Sequence, residues 1–376
     1  MTRRHVAIVV PGWPVSSDEP GLAAVVDLVK RVAAVHDVTV VALRHPQPSR
    51  RYTFAGVDVS ALGAGGGRRP FARLDVLGRG VAAVVALHRR RPLDLIHALW
   101  LDEPGAVAVI AGAIVRRPTI ASLMGGELTG LADIGYGAAL GRGGRVTARL
   151  TLRFAHQLTS GSGQGRAEII ARRPSARVAV APLGVDTTLF RPAESPPSPT
   201  VLFVGSLTPV KDPALALRAF ANLSGARPAA RFVAAGDGPL RGELVKLAAQ
   251  LGVTDRVEFR GQLPRSQMAD LYRSAAVLCV SSRHEGQSVA AIEAAAAGLP
   301  VVGTRVGALP DLEPGSVTVP VNDEQALAAA LARVLDDEAL ARRMRAAVRE
   351  VAVARYDIRS TSAAVLDLYE MVLADR

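Results

Sequence analysis

The chain has 376 residues, 49% hydrophobic and 21% charged, which is long enough for two domain cores and too apolar for a disordered chain. Its single cysteine, Cys279, excludes an intramolecular disulfide, and its longest apolar stretch, residues 105–115, falls short of the ~20 residues a membrane span needs. The formal charge of +11 lies in the first half: residues 1–198 hold 25 Lys and Arg against 14 Asp and Glu, residues 199–376 hold 20 against 20.

In chain order, His5–Val10 reads as a strand, followed by a loop rich in proline and glycine that contains Pro11, Gly12 and Gly21. The basic start and short apolar run do not make a signal peptide, so a cytoplasmic protein is expected. A helix follows over residues 22–35, then strands at 38–43, 94–97 and 119–123, with helices near 74–90 and 105–115 between them. Segment 124–146 is irregular. Strands at 156–160 and 178–181 close this half. The run PAESPPSP, residues 192–199, reads as a linker and the domain boundary. The second half restarts with a strand at 200–204 and a helix opened by Asp212-Pro213, a good N-cap followed by proline. A strand at 232–235 leads to a helix whose Leu240, Leu244, Leu247 and Leu251 share one face; strands follow at 257–259, 277–280 and 301–303. Alternating apolar strands and helices predict parallel sheets covered on both faces.

Chemistry-bearing residues cluster on the strand-to-helix turns of the second half. Glu285 and Glu293 have seven residues between them. The first sits in a loop after a strand, the second in a helix capped at Ser288 and stopped at Gly298-Leu299-Pro300. Helical side chains lean toward the N-terminus, so Glu293 can reach the same cleft as Glu285, at the carboxyl edge of the preceding strand. Two carboxylates beside free helix amides suit a ligand bearing hydroxyls and a phosphate. Lys211 precedes another helix and can neutralise a diphosphate, and Gly205, Gly236 and Gly238 form turns that admit a ligand.

Four segments carry a family resemblance: PLGVDTTLFRP (182–192), VGSLTPVKD (204–212), AAGDGPL (234–240) and EGQSVAAIEAAAAGLPVVGTRVGALPDL (285–312). Together they resemble the retaining GT-B glycosyltransferases of family 4, strongly in the second half and loosely in the first. The resemblance implies two Rossmann-like domains facing across a cleft. An acceptor-binding domain would cover residues 1–192, a linker 193–199 and a donor-binding domain 200–355, with a C-terminal helix over 356–376 packed back on the first domain. It implies a nucleotide-sugar donor and no obligatory metal or other cofactor. Glu293 would hold the ribose and Glu285 the donor sugar. The amides of Gly286, Gln287 and Ser288 would meet sugar and diphosphate, and Lys211 the leaving diphosphate. Gly205, Ser206, Gly236 and Gly238 would line the nucleotide site, and Gly12 and Gly21 would approach the diphosphate from the first domain. Front-face attack, with the leaving phosphate assisting deprotonation, is the implied route to retention.

Three positions depart from the family pattern. Ser206 stands where an arginine is usual, Gln287 replaces a bulky residue, and Met124 replaces a histidine in the acceptor-side loop 123–127. Gly125 belongs to that loop. Glu127 reads either as an acceptor contact or as a solvated residue, and His97 and Asp133 either as cleft residues or as ordinary core and surface ones. Arg142, Arg145, Arg149 and Arg153 recur on one helical face, the pattern of a helix that lies on an anionic membrane or of a solvated one. A hydroxyl acceptor, anionic or lipid-linked, is expected for the basic half, and no nucleic acid, because aromatic stacking platforms are lacking. The alternative readings are a sugar-nucleotide epimerase on the same fold and a non-enzymatic basic protein that binds nucleic acid or membrane.

Overall fold

The computed structural model describes residues 2–15, 22–44, 49–63, 72–193 and 198–375. The chain divides into two compact units, Met1–Leu183 with Thr361–Arg376, and Gly184–Ser360.

Unit 1 runs β1 (His5–Val10), α1 (Ala23–Val35), β2 (Asp37–Ala42), β3 (Arg50–Phe54), β4 (Val57–Ala61), α2 (Ala72–Arg90), β5 (Leu95–Leu99), α3 (Glu103–Val115), β6 (Thr119–Leu123), α4 (Arg142–Phe154), β7 (Gln157–Ser160), α5 (Gly163–Arg172) and β8 (Val178–Val180). Its sheet has the order β3-β4-β2-β1-β5-β6-β7-β8, parallel except where β3 meets β4. All six residues of β1 are buried, as an apolar strand covered on both faces requires. Helix α1 turns Val25, Leu28, Val29 and Val32 inward at helical spacing. The β3–β4 hairpin has no counterpart in the sequence-based elements. It turns on Ala55 and Gly56, both at positive φ; β3 ends the sheet and has no buried residue, and β4, next to it, alternates buried and more exposed positions. Helix α4 begins inside the segment expected to be irregular, and two short 3-10 turns, Ala132–Ile134 and Ala138–Leu140, precede it.

Unit 2 runs β9 (Thr200–Val204), α6 (Pro213–Ser224), β10 (Arg231–Ala235), α7 (Arg241–Gln250), β11 (Val257–Gly261), α8 (Arg265–Ser274), β12 (Val277–Val280), α9 (Val289–Ala296), β13 (Val301–Thr304), β14 (Ser316–Val319), α10 (Glu324–Asp336) and α11 (Glu338–Tyr356). The sheet order is β11-β10-β9-β12-β13-β14, all parallel. Numbered from its own first strand, that is the 3-2-1-4-5-6 order of a dinucleotide-binding fold, with the order reversing between β9 and β12. Asp212 caps α6 as its sequence implies, its Oδ1 accepting the Leu215 amide hydrogen at 3.1 Å. Cys279 is buried in β12, where burial pushes its thiol up to about 12 and leaves it inert at neutral pH.

The division between units falls before the proline-rich run placed at 193–199. Val185 donates its amide to Tyr356 O at 2.8 Å and accepts from Ile358 N at 2.9 Å, and Phe190 is fully buried in the core of unit 2. Residues 184–192 are therefore part of unit 2. The last helix, α12 (Ile358–Ala374), starts after Asp357 and not at Tyr356, which ends α11. Asp357 is held well below the usual carboxylate range by its bonds from Arg359, and it also accepts from Thr187. From Thr361 onward the helix belongs to unit 1.

Candidate functional site

The carboxyl ends of β9 and β12 lie side by side at the point where the strand order reverses, and both lead into loops bearing charged groups. Lys211, the last residue before the cap of α6, places Nζ 2.6 Å from Oε1 and 2.7 Å from Oε2 of Glu285. The Ser282 hydroxyl donates to the same Oε1 at 2.6 Å. The backbone around the pair is laced together. Ser281 Oγ donates to the carbonyls of Lys211 and Asp212 at 2.9 and 2.7 Å, Arg283 N donates to Val210 O at 2.7 Å, and Thr304 Oγ1 donates to Ser282 O at 2.5 Å. Asp212 sits at φ 43°, a left-handed geometry that these bonds hold in place. The Glu285 side chain is 8% exposed and that of Lys211 is 28% exposed, so the cation faces solvent more than its partner does. An ammonium has three N–H donors; two are directed to Glu285, leaving one for an incoming anion.

Glu293 is the fifth residue of α9 and is held from α8: the Tyr272 hydroxyl donates to its Oε2 at 3.0 Å. Burial, followed by the Glu293 charge and this hydrogen bond, holds the Tyr272 phenol far above its ordinary value, so it remains a donor throughout the working pH range. Sequence reasoning missed Tyr272, Ser281, Ser282 and Thr304. Only Tyr272 had a signal, in the apolar spacing of Met268, Leu271 and Tyr272 on α8. Ser288 stands at the N-cap of α9 as expected, at φ 70°, but its side chain does not cap the helix; Ala291 N donates to Ser288 O at 3.1 Å, and the amides of Val289 and Ala290 are left to other acceptors. Gln287 and Ser288 are buried, and Gln287 O accepts from Ala308 N at 3.0 Å. Gly286 lies in the same loop, half-buried.

The glycine turns have a structural cause that the sequence did not reveal. A Cβ on Gly236, at φ 138°, would lie 1.9 Å from Gly205 O, and one on Gly238 would lie 2.5 Å from Leu207 O. The turns after β9 and β10 pack backbone on backbone and are joined by the bonds Gly205 N to Ala235 O and Leu207 N to Asp237 O, both 3.0 Å. Ser206 is exposed beside them, its Oγ 3.2 Å from Thr208 Oγ1.

The residues named in unit 1 separate. His97 is a framework residue: it is 3% exposed, with Nδ1 2.8 Å from the Tyr369 hydroxyl and Nε2 2.8 Å from Ser122 Oγ. Burial lowers its pKa to about 3, so it stays neutral and does not serve as a cleft residue. Glu127 is not solvated either. At 3% exposure it accepts from Met124 N at 2.8 Å, Gly125 N at 2.5 Å and Leu101 N at 3.2 Å, joining the loops after β5 and β6. Burial pushes its carboxyl up to about 7 although those amides favour the charged form. Met124 and Gly125 are half-buried, and Asp133 is exposed in a 3-10 turn. Gly12 follows β1, and Gly21 lies outside the described residues. Part of the basic excess is neutralised locally. Arg44 and Arg73 both bond Glu103, whose carboxyl they hold low against the opposing effect of burial. Among the described residues no group of His, Cys, Asp and Glu is arranged to hold a metal ion, and no helix is long and apolar enough to cross a membrane.

The reversal point of a dinucleotide-fold sheet is where such folds bind ligands, and here it carries a lysine–carboxylate pair. Residues 186–351 match the family model for glycosyl transferases group 1, and residues 23–184 match the glycosyl transferase 4-like domain. A D-inositol 3-phosphate glycosyltransferase of Acidothermus cellulolyticus is 34% identical over 53% of this chain and 49% of its own length, so the match spans about half of that relative. The enzyme of the same name from Streptomyces avermitilis is 30% identical over 95% of this chain and 84% of its own. The structure of Anabaena HepE in complex with UDP-glucose superposes with a TM-score of 0.76 at 19% identity, covering 98% of this chain and all of that one. The chain belongs to the glycosyl transferases of group 1, and its fold is GT-B.

Proposed function

We propose that this glycosyltransferase moves a hexosyl group from a nucleoside diphosphate sugar to a hydroxyl acceptor with retention of anomeric configuration. The observation that carries the reading is the contact of Lys211 Nζ with both oxygens of Glu285 at the reversal point of the unit 2 sheet. In this scheme the third N–H of Lys211 and the uncapped amides of α9 take the diphosphate, Glu285 accepts from sugar hydroxyls, and Glu293, oriented by Tyr272, accepts from the ribose. The bond from sugar C1 to the diphosphate oxygen breaks, and the acceptor oxygen bonds C1 on the same face. The acceptor proton passes to the departing diphosphate, and the products are a nucleoside diphosphate and a glycoside. Negative charge develops on the leaving group, where Lys211 and the amides stabilise it, so the scheme asks for no metal. The relatives' names favour a phosphorylated polyol as acceptor. Proton NMR of the product, run with and without EDTA, tests the scheme: the donor's anomeric configuration is kept and the rate is unchanged, whereas an inverted product or loss of rate refutes it.

The reading extends to a cytoplasmic protein that touches an anionic membrane through α4. Arg142, Arg145, Arg149 and Arg153 are exposed there beside Val146 and Phe154, which are 63% and 57% exposed. Sedimentation with anionic vesicles tests it; equal recovery with neutral vesicles refutes it.

A further inference from the structure

The basic excess of the first half extends to the edge of the unit 1 sheet opposite the strand ends where doubly wound folds bind ligands. At the amino ends of β6 and β7 lies a cavity of about 840 Å³, within the ~300–1,000 Å³ range of small-molecule sites. Its lining includes Arg116, Arg117, Arg177 and His156, with Met371 of α12 and Asp375 just beyond that helix. We propose that this cavity is a second binding site, for the phosphate group of a small molecule, separate from the Lys211–Glu285 centre and independent of the donor assignment.

Charge comes first. Asp375 pairs with Arg177, and the C-termini of α3 and α12, which end nearby, contribute about −0.5 each. Facing that negative charge, the lining carries the guanidinium groups of Arg116, Arg117 and Arg177. Arg117 has no ion-pair partner among the described residues, and its Nε is buried without a hydrogen bond. Its charge is the next cause, after burial, that lowers the pKa of His88. The backbone carrying these groups is fixed. Arg116 caps α3 at φ 54°, Arg117 N donates to Gly112 O at 2.9 Å, and Gln157 Nε2 donates to Arg177 O at 3.0 Å. His156 Nδ1 accepts from Thr119 N at 3.2 Å, which leaves the ring hydrogen on Nε2. Guanidinium forks match phosphate oxygens in pairs, and Met371, 49% exposed, offers an apolar surface to the rest of the ligand.

The test uses Lys211→Ala protein, which weakens diphosphate binding at the other centre. Inorganic pyrophosphate is titrated by calorimetry into this variant and into the same chain carrying Arg116→Asn and Arg117→Gln; asparagine tolerates the left-handed φ at 116. Affinity is expected to fall at least tenfold in the second protein. Vesicles containing phosphatidic acid form a parallel arm: binding there that the double substitution abolishes assigns the phosphate to a lipid headgroup, and binding of pyrophosphate alone assigns it to a free metabolite. Asp375→Ala, which releases Arg177, should tighten binding several-fold. Pyrophosphate and vesicles that bind no better to the Lys211→Ala protein than to its arginine-substituted form overturn the proposal.

Discussion

Replacing Lys211 with methionine removes one charge from the pair and keeps the stem. Glu285, with an 8% exposed side chain, is then left with the Ser282 hydroxyl as its neighbour in place of an ammonium at 2.6 Å. Breaking a fully buried pair costs about 3–5 kcal/mol, and an exposed one contributes about 0.2–1 kcal/mol. With one partner buried and the other 28% exposed, the expected cost lies between, at about 2 kcal/mol. Glu285→Gln removes the stranded charge, so the double variant should recover most of the loss. The cycle of two single variants and the double should give a coupling of about 1–3 kcal/mol. Both tryptophans, Trp13 and Trp100, lie in unit 1, so fluorescence does not report on this pair; hydrogen exchange of peptides spanning 200–215 and 277–290 does. Sugar transfer should fall about 10²–10³-fold in the lysine variant and stay low in the double, because in the proposed scheme the lysine also serves the leaving diphosphate. Coupling below about 0.3 kcal/mol, or transfer restored in the double variant, would refute the reasoning.

Three further substitutions probe the surrounding architecture. Tyr272→Phe removes the donor that orients Glu293, and should raise the donor KM by roughly fivefold, about 1 kcal/mol, with little change in kcat; steady-state kinetics at varied donor measure it. Glu127 holds its proton more tightly folded, at about 7, than its ordinary 4.5. Its contribution is therefore complete below about pH 4.5 and is lost as pH rises through 7, by about 3 kcal/mol. Urea unfolding followed by the unit 1 tryptophans should show that decline in the wild type and a flatter profile in Glu127→Gln. Gly236→Ala, with a Cβ 1.9 Å from Gly205 O, should destabilise unit 2 by about 3 kcal/mol or more, while Gly12→Ala, whose nearest contact is 3.6 Å, should leave thermal melting nearly unchanged.

The sequence was most informative where one physical cause dominates. Buried parallel strands are continuous apolar runs, so β1, β6 and β12 are legible, and Asp212-Pro213 marks a helix start by side-chain chemistry alone. The β3–β4 hairpin was not legible, because edge strands are half polar and Ala55-Gly56 is a weak turn signal. The proline-rich run drew the boundary too late, since composition does not show that Val185 and Phe190 pack into unit 2. At the site, Lys211 and Glu285 were each visible as loop residues, but their bidentate contact depends on the order of strands. The bond from Tyr272 to Glu293 and the bonds of Ser281 and Thr304 were invisible, because their partners come from other elements. His97 and Glu127 show the converse: polar residues that looked available are consumed, His97 by Tyr369 and Ser122, and Glu127 by the amides of Met124, Gly125 and Leu101.

In the proposed scheme unit 2 binds a nucleotide sugar through Glu293 together with the Lys211–Glu285 pair. Calorimetric titration of UDP-, GDP-, ADP- and dTDP-glucose into the wild type and into Glu293→Ala protein with an unchanged circular dichroism spectrum tests it most directly. Saturable binding of at least one of the four is expected, and its loss in the variant. Undiminished binding by Glu293→Ala, or no binding of any of the four by the wild type, would contradict it.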